Sequence, residues 1–126
     1  MIFRSDVLDI LDKASSFLVC DMKTGEILYV SRSLEIMFGY MTTNELVGKD
    51  VDILVPVDKQ KGHKDLRAEY AKNPSIRPMG KGAMLEGRRR DGSNFPVAIN
   101  IVPAVITGIP CTIAIVVDLT PYKSII

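Results

Sequence analysis

The stretch LEGRRRDGSNFPVAINIVPAVITGIPCTIAIVVDLT, residues 85–120, decides the fold. Its Asp91-Gly92 pair is a strong short signal for a tight reversal, because both central residues of a type I′ turn take positive φ, which Gly adopts freely and Asp tolerates. Beyond it Phe95, Val97, Ile99 and Ile101 alternate with Pro96, Ala98, Asn100 and Val102, a period of two that gives the strand one strongly apolar face. A second reversal over residues 107–110 leads into residues 111–117, a nearly continuous apolar run that suits a strand covered on both sides. Two consecutive hairpins therefore supply most of an antiparallel sheet, and the earlier part of the chain must pack on it.

Working outward, residues 2–14 place Phe3, Val7, Ile10, Leu11 and Ala14 on one helical stripe, with Arg4, Asp6, Asp9 and Asp12 opposite, which predicts an amphipathic helix flanking the sheet. Short strands are expected over residues 17–20 and 26–30, separated by a turn in which Gly25 can take positive φ. Ser31 or Ser33 caps a helix that buries Leu34, Met37 and Phe38 and ends at Gly39. Thr42 and Glu45 have the spacing of a capping box, which predicts a second short helix stopped by Gly48. Asp58 is the expected N-cap of a longer helix running to about Lys72, which Asn73-Pro74 terminates. On it His63, Leu66 and Tyr70 have the three- and four-residue spacing of one face. Residues 75–82, with Pro78, Gly80 and Gly82, should enter the strand expected over residues 83–90 irregularly.

Bulk properties narrow the function classes. A chain of 126 residues with 47% hydrophobic and 25% charged residues reads as one globular domain, not as a disordered or fibrous chain. A formal net charge of +1 supplies no field that would draw nucleic acid or anionic membrane. Arg88, Arg89 and Arg90 form a run, but alternate residues of a strand arm point to opposite faces and no aromatic platform accompanies them; a solvated strand end pairing with Asp91 or Glu86 is the expectation. Cys20 and Cys111 lie inside apolar strand patterns without metal-ligand spacing, so buried reduced thiols in a cytoplasmic domain are expected. Apolar runs are interrupted well short of the roughly 18–20 residues that span a bilayer. No Walker, nucleophile-elbow or metalloprotease pattern is present, so this stretch is not expected to be an enzyme, although a parent protein could be a kinase or cyclase.

The segments FGYMTTNELVGKDVDILVP (residues 38–56), RRRDGSNFPVAI (residues 88–99) and VVDLT (residues 116–120), in this order and spacing, resemble a PAS domain, the sensory module of many signalling proteins. The resemblance runs from about Ala14 to Thr120. It implies an α+β PAS fold: a five-stranded antiparallel β-sheet with short helices on one face and the N-terminal amphipathic helix flanking the sheet. The domain would comprise a flanking helix at 1–15, a core at 16–120 and the start of an exit linker at 121–126. The implied function is sensory or signal-input, as a module of a histidine kinase, cyclic-dinucleotide enzyme or chemoreceptor that relays ligand, redox state or dimerisation to an output domain.

Two alternatives stand beside that reading, a haem gas sensor and a ligand-free dimerisation module. Counted back from Asp91-Gly92 without a gap, His63, the single histidine, falls where haem-binding members carry their iron ligand, and Tyr70, Gly80, Gly82 and Gly87 keep register. Neutral imidazole is a standard proximal haem ligand. The chain departs at Ala83, where such sensors carry a distal Arg, and at Lys81, where a distal Met can occur. A His that serves the helix structurally is the plainer alternative. Flavin is disfavoured, because residues 33–40 hold no Cys for the adduct chemistry of flavin-thiol photosensors. A small-molecule pocket is expected between the helix face His63, Leu66 and Tyr70 and a sheet wall of Ala83, Leu85, Val97, Ile99, Ile101 and Ala114. Homodimerisation is expected through Phe3, Val7, Ile10 and Leu11 together with Ile113, Ile115 and Val117.

Overall fold

The paired hairpins form as the alternating pattern requires. The structure, a computed structural model, describes residues 15–79 and 85–125. The helix expected over residues 2–14, with Phe3, Val7, Ile10 and Leu11, lies outside the described residues, as do Lys81 and Ala83. Strands β1 (Phe17–Asp21), β2 (Ile27–Val30), β3 (Arg77–Pro78), β4 (Leu85–Arg88), β5 (Asn94–Ile106) and β6 (Ile109–Asp118) make one antiparallel sheet in the order β2-β1-β6-β5. Both β3 and β4 lie on the far edge of β5, Arg77 opposite Ile101 and Leu85 opposite Val97. The two-residue β3 is an addition to the five expected strands, in a stretch expected to be irregular.

The two reversals exchange geometries. At the β5–β6 hairpin Thr107 (φ 48) and Gly108 (φ 83) both take positive φ between the paired Ile106 and Ile109, the backbone of a type I′ turn. At Asp91-Gly92, where that turn was expected, only Gly92 has positive φ (89). The Gly92 N–H instead donates to the Arg89 carbonyl (2.9 Å) and the Arg89 N–H to the Ser93 carbonyl (2.8 Å), closing a three-residue loop. The Asp91 carboxylate accepts from the Ser93 N–H (2.9 Å) and hydroxyl (2.6 Å), which gives the looser turn its own support.

Helix α1 (Arg32–Met37) starts at Ser31, whose hydroxyl accepts from the Leu34 N–H (3.3 Å) and from the Phe17 N–H of β1 (2.9 Å). One buried side chain thus caps the helix and fixes it to the sheet. The helix expected after Thr42 does not form. Asn44 takes φ 67, a left-handed conformation that interrupts a helix, and half of the capping box survives as a bond from the Thr42 N–H to Glu45 Oε2 (3.2 Å). Burial of Leu46, which is 0% exposed, rewards the turn instead. A 3₁₀ turn at Val57–Lys59 runs into helix α2 (Gln60–Lys72), so the chain is already helical at Asp58, which makes no cap; the helix ends at Asn73 as expected.

Strand β6 carries apolar clusters on both faces, as its sequence demanded. On the inner face Leu18, Cys20, Ile27, Phe95, Val97 and Val116 pack with Leu34, Phe38, Tyr40, Leu46 and Leu54 from the helix layer. On the outer face Phe17, Val19, Cys111 and Ile113 are buried, with Tyr29, Val102 and Ile115 against them. Of the sheet residues expected at a dimer contact, Val117 is exposed (50%) while Ile113 is already buried.

Candidate functional site

The charged residues of the site gather on a carboxylate inside an apolar run. Asp50 caps the 3₁₀ turn Val51–Leu54 by accepting from the Asp52 N–H (2.9 Å), which turns Asp52 inward to 4% exposure. Helix α2 then presents His63 and Arg67 to it, four residues apart and so on one face. Nδ1 of His63 stands 2.5 Å from Oδ1 of Asp52, Arg67 Nη2 donates to Oδ2 at 3.2 Å, and Lys64 Nζ stands 3.6 Å away. Burial pushes the Asp52 carboxyl up, but the hydrogen bonds from His63 and Arg67 outweigh it and hold the group below the usual carboxylate range. A buried carboxylate is tolerable only when its charge is matched and its oxygens are bonded, and both conditions are met here.

Arg67 also explains a glycine. A Cβ at Gly25 (φ 78) would lie 2.5 Å from Arg67 Nη1, so the guanidinium rests on bare backbone. It lies near Cys20 as well, whose thiol burial pushes up to about 12 despite that positive charge. Asp52 and Arg67 were not singled out from the sequence, and Gly25 was read only as a turn residue of positive φ, which it is. The available signal was a lone carboxylate among Val51, Ile53 and Leu54, followed by His and Arg at helical spacing.

The expected pocket residues divide. Leu85, Val97, Ile99 and Ala114 share the inner-face cluster, and Ile101 is buried opposite Ala114. Tyr70 is buried, donates its hydroxyl to the Ser75 carbonyl (2.7 Å) and lies under the Arg77 guanidinium (5.1 Å to the ring centroid). Leu66 is a correction: it is 66% exposed and lines no wall. His63 and Tyr70 are seven residues apart, so they share a face, but Leu66 is turned off it because Arg67 takes the inward position. Ala83 lies outside the described residues.

The reading of the arginine run as a solvated strand end holds for Arg90, which is exposed, and is corrected at Arg89. Arg89 stacks on Phe95 (3.8 Å to the centroid), donates through Nη1 to the Met37 carbonyl and reaches Asp118 Oδ2 at 3.6 Å. Arg90 pairs with Glu45 through Nε (3.0 Å). The partners are thus Asp118 and Glu45, although the Asp91 carboxyl, lowered first by its hydrogen bonds from Ser93, is lowered further by the charge of Arg89.

With this architecture established, the sequence matches the PAS domain family over residues 14–121. The chain belongs to the PAS domain family. A curated relative, Sensor protein FixL of Bradyrhizobium diazoefficiens, is 30% identical over 99 residues, which is 79% of this PAS chain and 19% of the relative. The chain therefore spans about a fifth of the length of that sensor protein. Among solved structures, the PAS domain of a Desulfitobacterium hafniense protein superposes with a TM-score of 0.71 at 22% identity, covering 88% of this chain and 99% of the other. The LOV domain of a blue-light activated histidine kinase from Erythrobacter litoralis superposes with a TM-score of 0.64 at 21% identity, covering 83% and 95%. These structural likenesses establish the PAS fold. No described helix is long and apolar enough to cross a membrane.

Proposed function

We propose that this PAS domain is the signal-input module of a larger signalling protein, a histidine kinase or similar, and that it passes an event at its inner sheet face to an output domain. Arg89 carries this reading. It joins the carbonyl of Met37 at the end of α1, the ring of Phe95 in the core and the carboxylate of Asp118 where β6 leaves the sheet. A displacement of α1 would therefore be felt at the exit, where Asp118 also accepts from the Thr120 N–H (2.8 Å). The module itself is non-catalytic and cytoplasmic in this proposal, and it pairs as a homodimer through the N-terminal stripe and the outer sheet face. The test is by NMR on the chain. The mild core change Leu34→Val should shift the amide resonances of Asp118 and Thr120, and Arg89→Ala should abolish that response. Exit amides indifferent to Leu34→Val would remove the relay.

A second reading, a haem-bearing gas sensor, rests on the way His63 is held. Asp52 occupies Nδ1, which leaves Nε2 as the ring nitrogen for a metal, and a carboxylate partner on the far nitrogen is how metal-bound imidazoles are usually oriented and made more basic. The donor set fits to that extent, with His63 as the protein ligand. Bound haem would supply reversible binding of diatomic gases. A visible absorption spectrum of the chain after haem addition, compared with His63→Ala, decides: stoichiometric uptake lost in the variant is expected on this reading, and no uptake by the wild type eliminates it.

A further inference from the structure

Three serine hydroxyls meet where the chain enters the sheet, away from the charged site on Asp52. Ser31 Oγ accepts from the N–H groups of Phe17 (2.9 Å) and Leu34 (3.3 Å) and stands 3.3 Å from Ser33 Oγ. Those two bonds occupy both lone pairs of the Ser31 oxygen, so its own proton points to Ser33. Ser33 Oγ also accepts from the Ser16 hydroxyl (2.9 Å) and donates to the Ser15 carbonyl over a long 3.4 Å. Ser33 is therefore a hub with its proton and both lone pairs engaged, although it is exposed while Ser31 is 0% exposed. It ties the first turn of α1 to residues 15 and 16. The opposite end of α1 is tied by Arg89, which donates to the Met37 carbonyl and reaches Asp118 at 3.6 Å. Between the two ties the six-residue helix is about 9 Å long. It is stiffened by buried Leu34, by the Arg32–Glu35 pair (3.2 Å) and by bonds from Arg32 to the carbonyls of Tyr40 (3.2 Å) and Met41. The ring closes across the sheet, where the Val116 N–H donates to the Ser16 carbonyl (2.9 Å) two residues before Asp118.

We propose that α1 is a crossbar that carries a displacement of the chain at residues 15–16 to the exit at Asp118, so that this PAS domain takes input along its own backbone as well as at its inner sheet face. The inference rests on the signal-input reading and adds the entry side to it, with Ser33 as the joint. A hydroxyl hub suits a joint because hydrogen bonds are directional: Ser33 meets its three oxygens at once only while residues 15, 16 and 31 hold their relative places. A turn of the chain at residue 15 therefore either costs Ser33 a partner or carries α1 with it. The first outcome leaves the buried Ser31 hydroxyl short of its acceptor, which favours the second. Interiors packed at crystal density then pass the shift on instead of absorbing it. Two routes lead from entry to exit, the sheet bond at Val116 and the crossbar, and only the crossbar runs through Arg89.

Amide NMR on the whole chain separates the two routes. Ser33→Ala, a change at an exposed position, should shift the resonances of Asp118 and Thr120, and Ser33→Thr, which keeps the hydroxyl, should hold them near their wild-type places. In an Arg89→Ala background, Ser33→Ala should lose most of its effect at Asp118 and Thr120 while its effect at Ser16 and Phe17 persists. If Arg89→Ala does not fold, Asp118→Asn opens the same tie and Thr120 is the reporter. No exit response to Ser33→Ala overturns the crossbar. A response of equal size with and without Arg89 overturns it as well, because the sheet alone would then carry it. An exit response to Ser33→Thr as large as that to Ser33→Ala removes the hydroxyl hub and the crossbar with it. A response to Leu34→Val with none to Ser33→Ala removes the crossbar and leaves the signal-input reading standing; the reverse faults the inner-face reading and supports the crossbar.

Discussion

The imidazole of His63 and the carboxylate of Asp52, eleven residues apart, meet at 2.5 Å at a position where the carboxylate is almost wholly removed from water. A group held below the ordinary carboxyl pKa stabilises the fold in its charged form. Its contribution is therefore present above the unfolded value near 3.9 and is lost as pH falls through the lower folded value. Asp52→Ala leaves His63 and Arg67 without their shared partner and is expected to cost about 2–4 kcal/mol at neutral pH. Urea unfolding of both proteins from pH 7 downward should show the difference narrowing as pH drops below about 4.

Gly87 is required by the aromatic pair beside it. Phe38 and Phe95 meet edge to face at 5.0 Å, and a Cβ at Gly87 would lie 2.8 Å from the Phe38 ring and 3.1 Å from that of Phe95. Gly87→Ala should destabilise by about 1–3 kcal/mol through overpacking. Gly62 is the control, because it sits in α2 with nothing within 4 Å of an added Cβ; Gly62→Ala should be neutral or stabilising by up to about 1 kcal/mol. Equal costs at both positions in thermal unfolding would remove the steric explanation.

Arg89 serves three partners with one planar group, a task that a lysine cannot copy. Arg89→Ala is expected to lower stability by about 1–3 kcal/mol, from the lost stacking on Phe95 and the unpartnered Met37 carbonyl. Arg89→Lys should recover less than half of that loss. Full recovery by lysine would mean that charge alone is required there.

Two leucines separate expectation from outcome. Leu46 is 0% exposed in an irregular turn, and Leu66 is 66% exposed on a regular helix. Leu46→Ala should cost about 2–5 kcal/mol, and Leu66→Ala should stay within about 0.5 kcal/mol of the wild type in the same denaturation experiment.

The sequence by itself determined the features that arise from neighbours along the chain. The period of two in β5, the doubly apolar β6, a serine cap for α1 at Ser31 or Ser33 and the stop at Asn73-Pro74 are local rules of backbone geometry and side-chain alternation, and each was legible before any fold was known; the contact with Phe17 then settled the cap on Ser31. Residues 97, 99 and 101 could be assigned to one strand face for the same reason. The tertiary structure decided what depends on partners distant in the chain. Glu45 keeps its bond to the Thr42 N–H but closes no helix, joining Arg90 as well while Leu46 enters the core, and Arg89 finds Met37 fifty-two residues away. Helical spacing offered His63, Leu66 and Tyr70 as one stripe, with hydrophobicity favouring Leu66. Asp52 reversed that choice, because an inward carboxylate in low dielectric must be met by charge, and turning Arg67 toward it leaves the leucine in water.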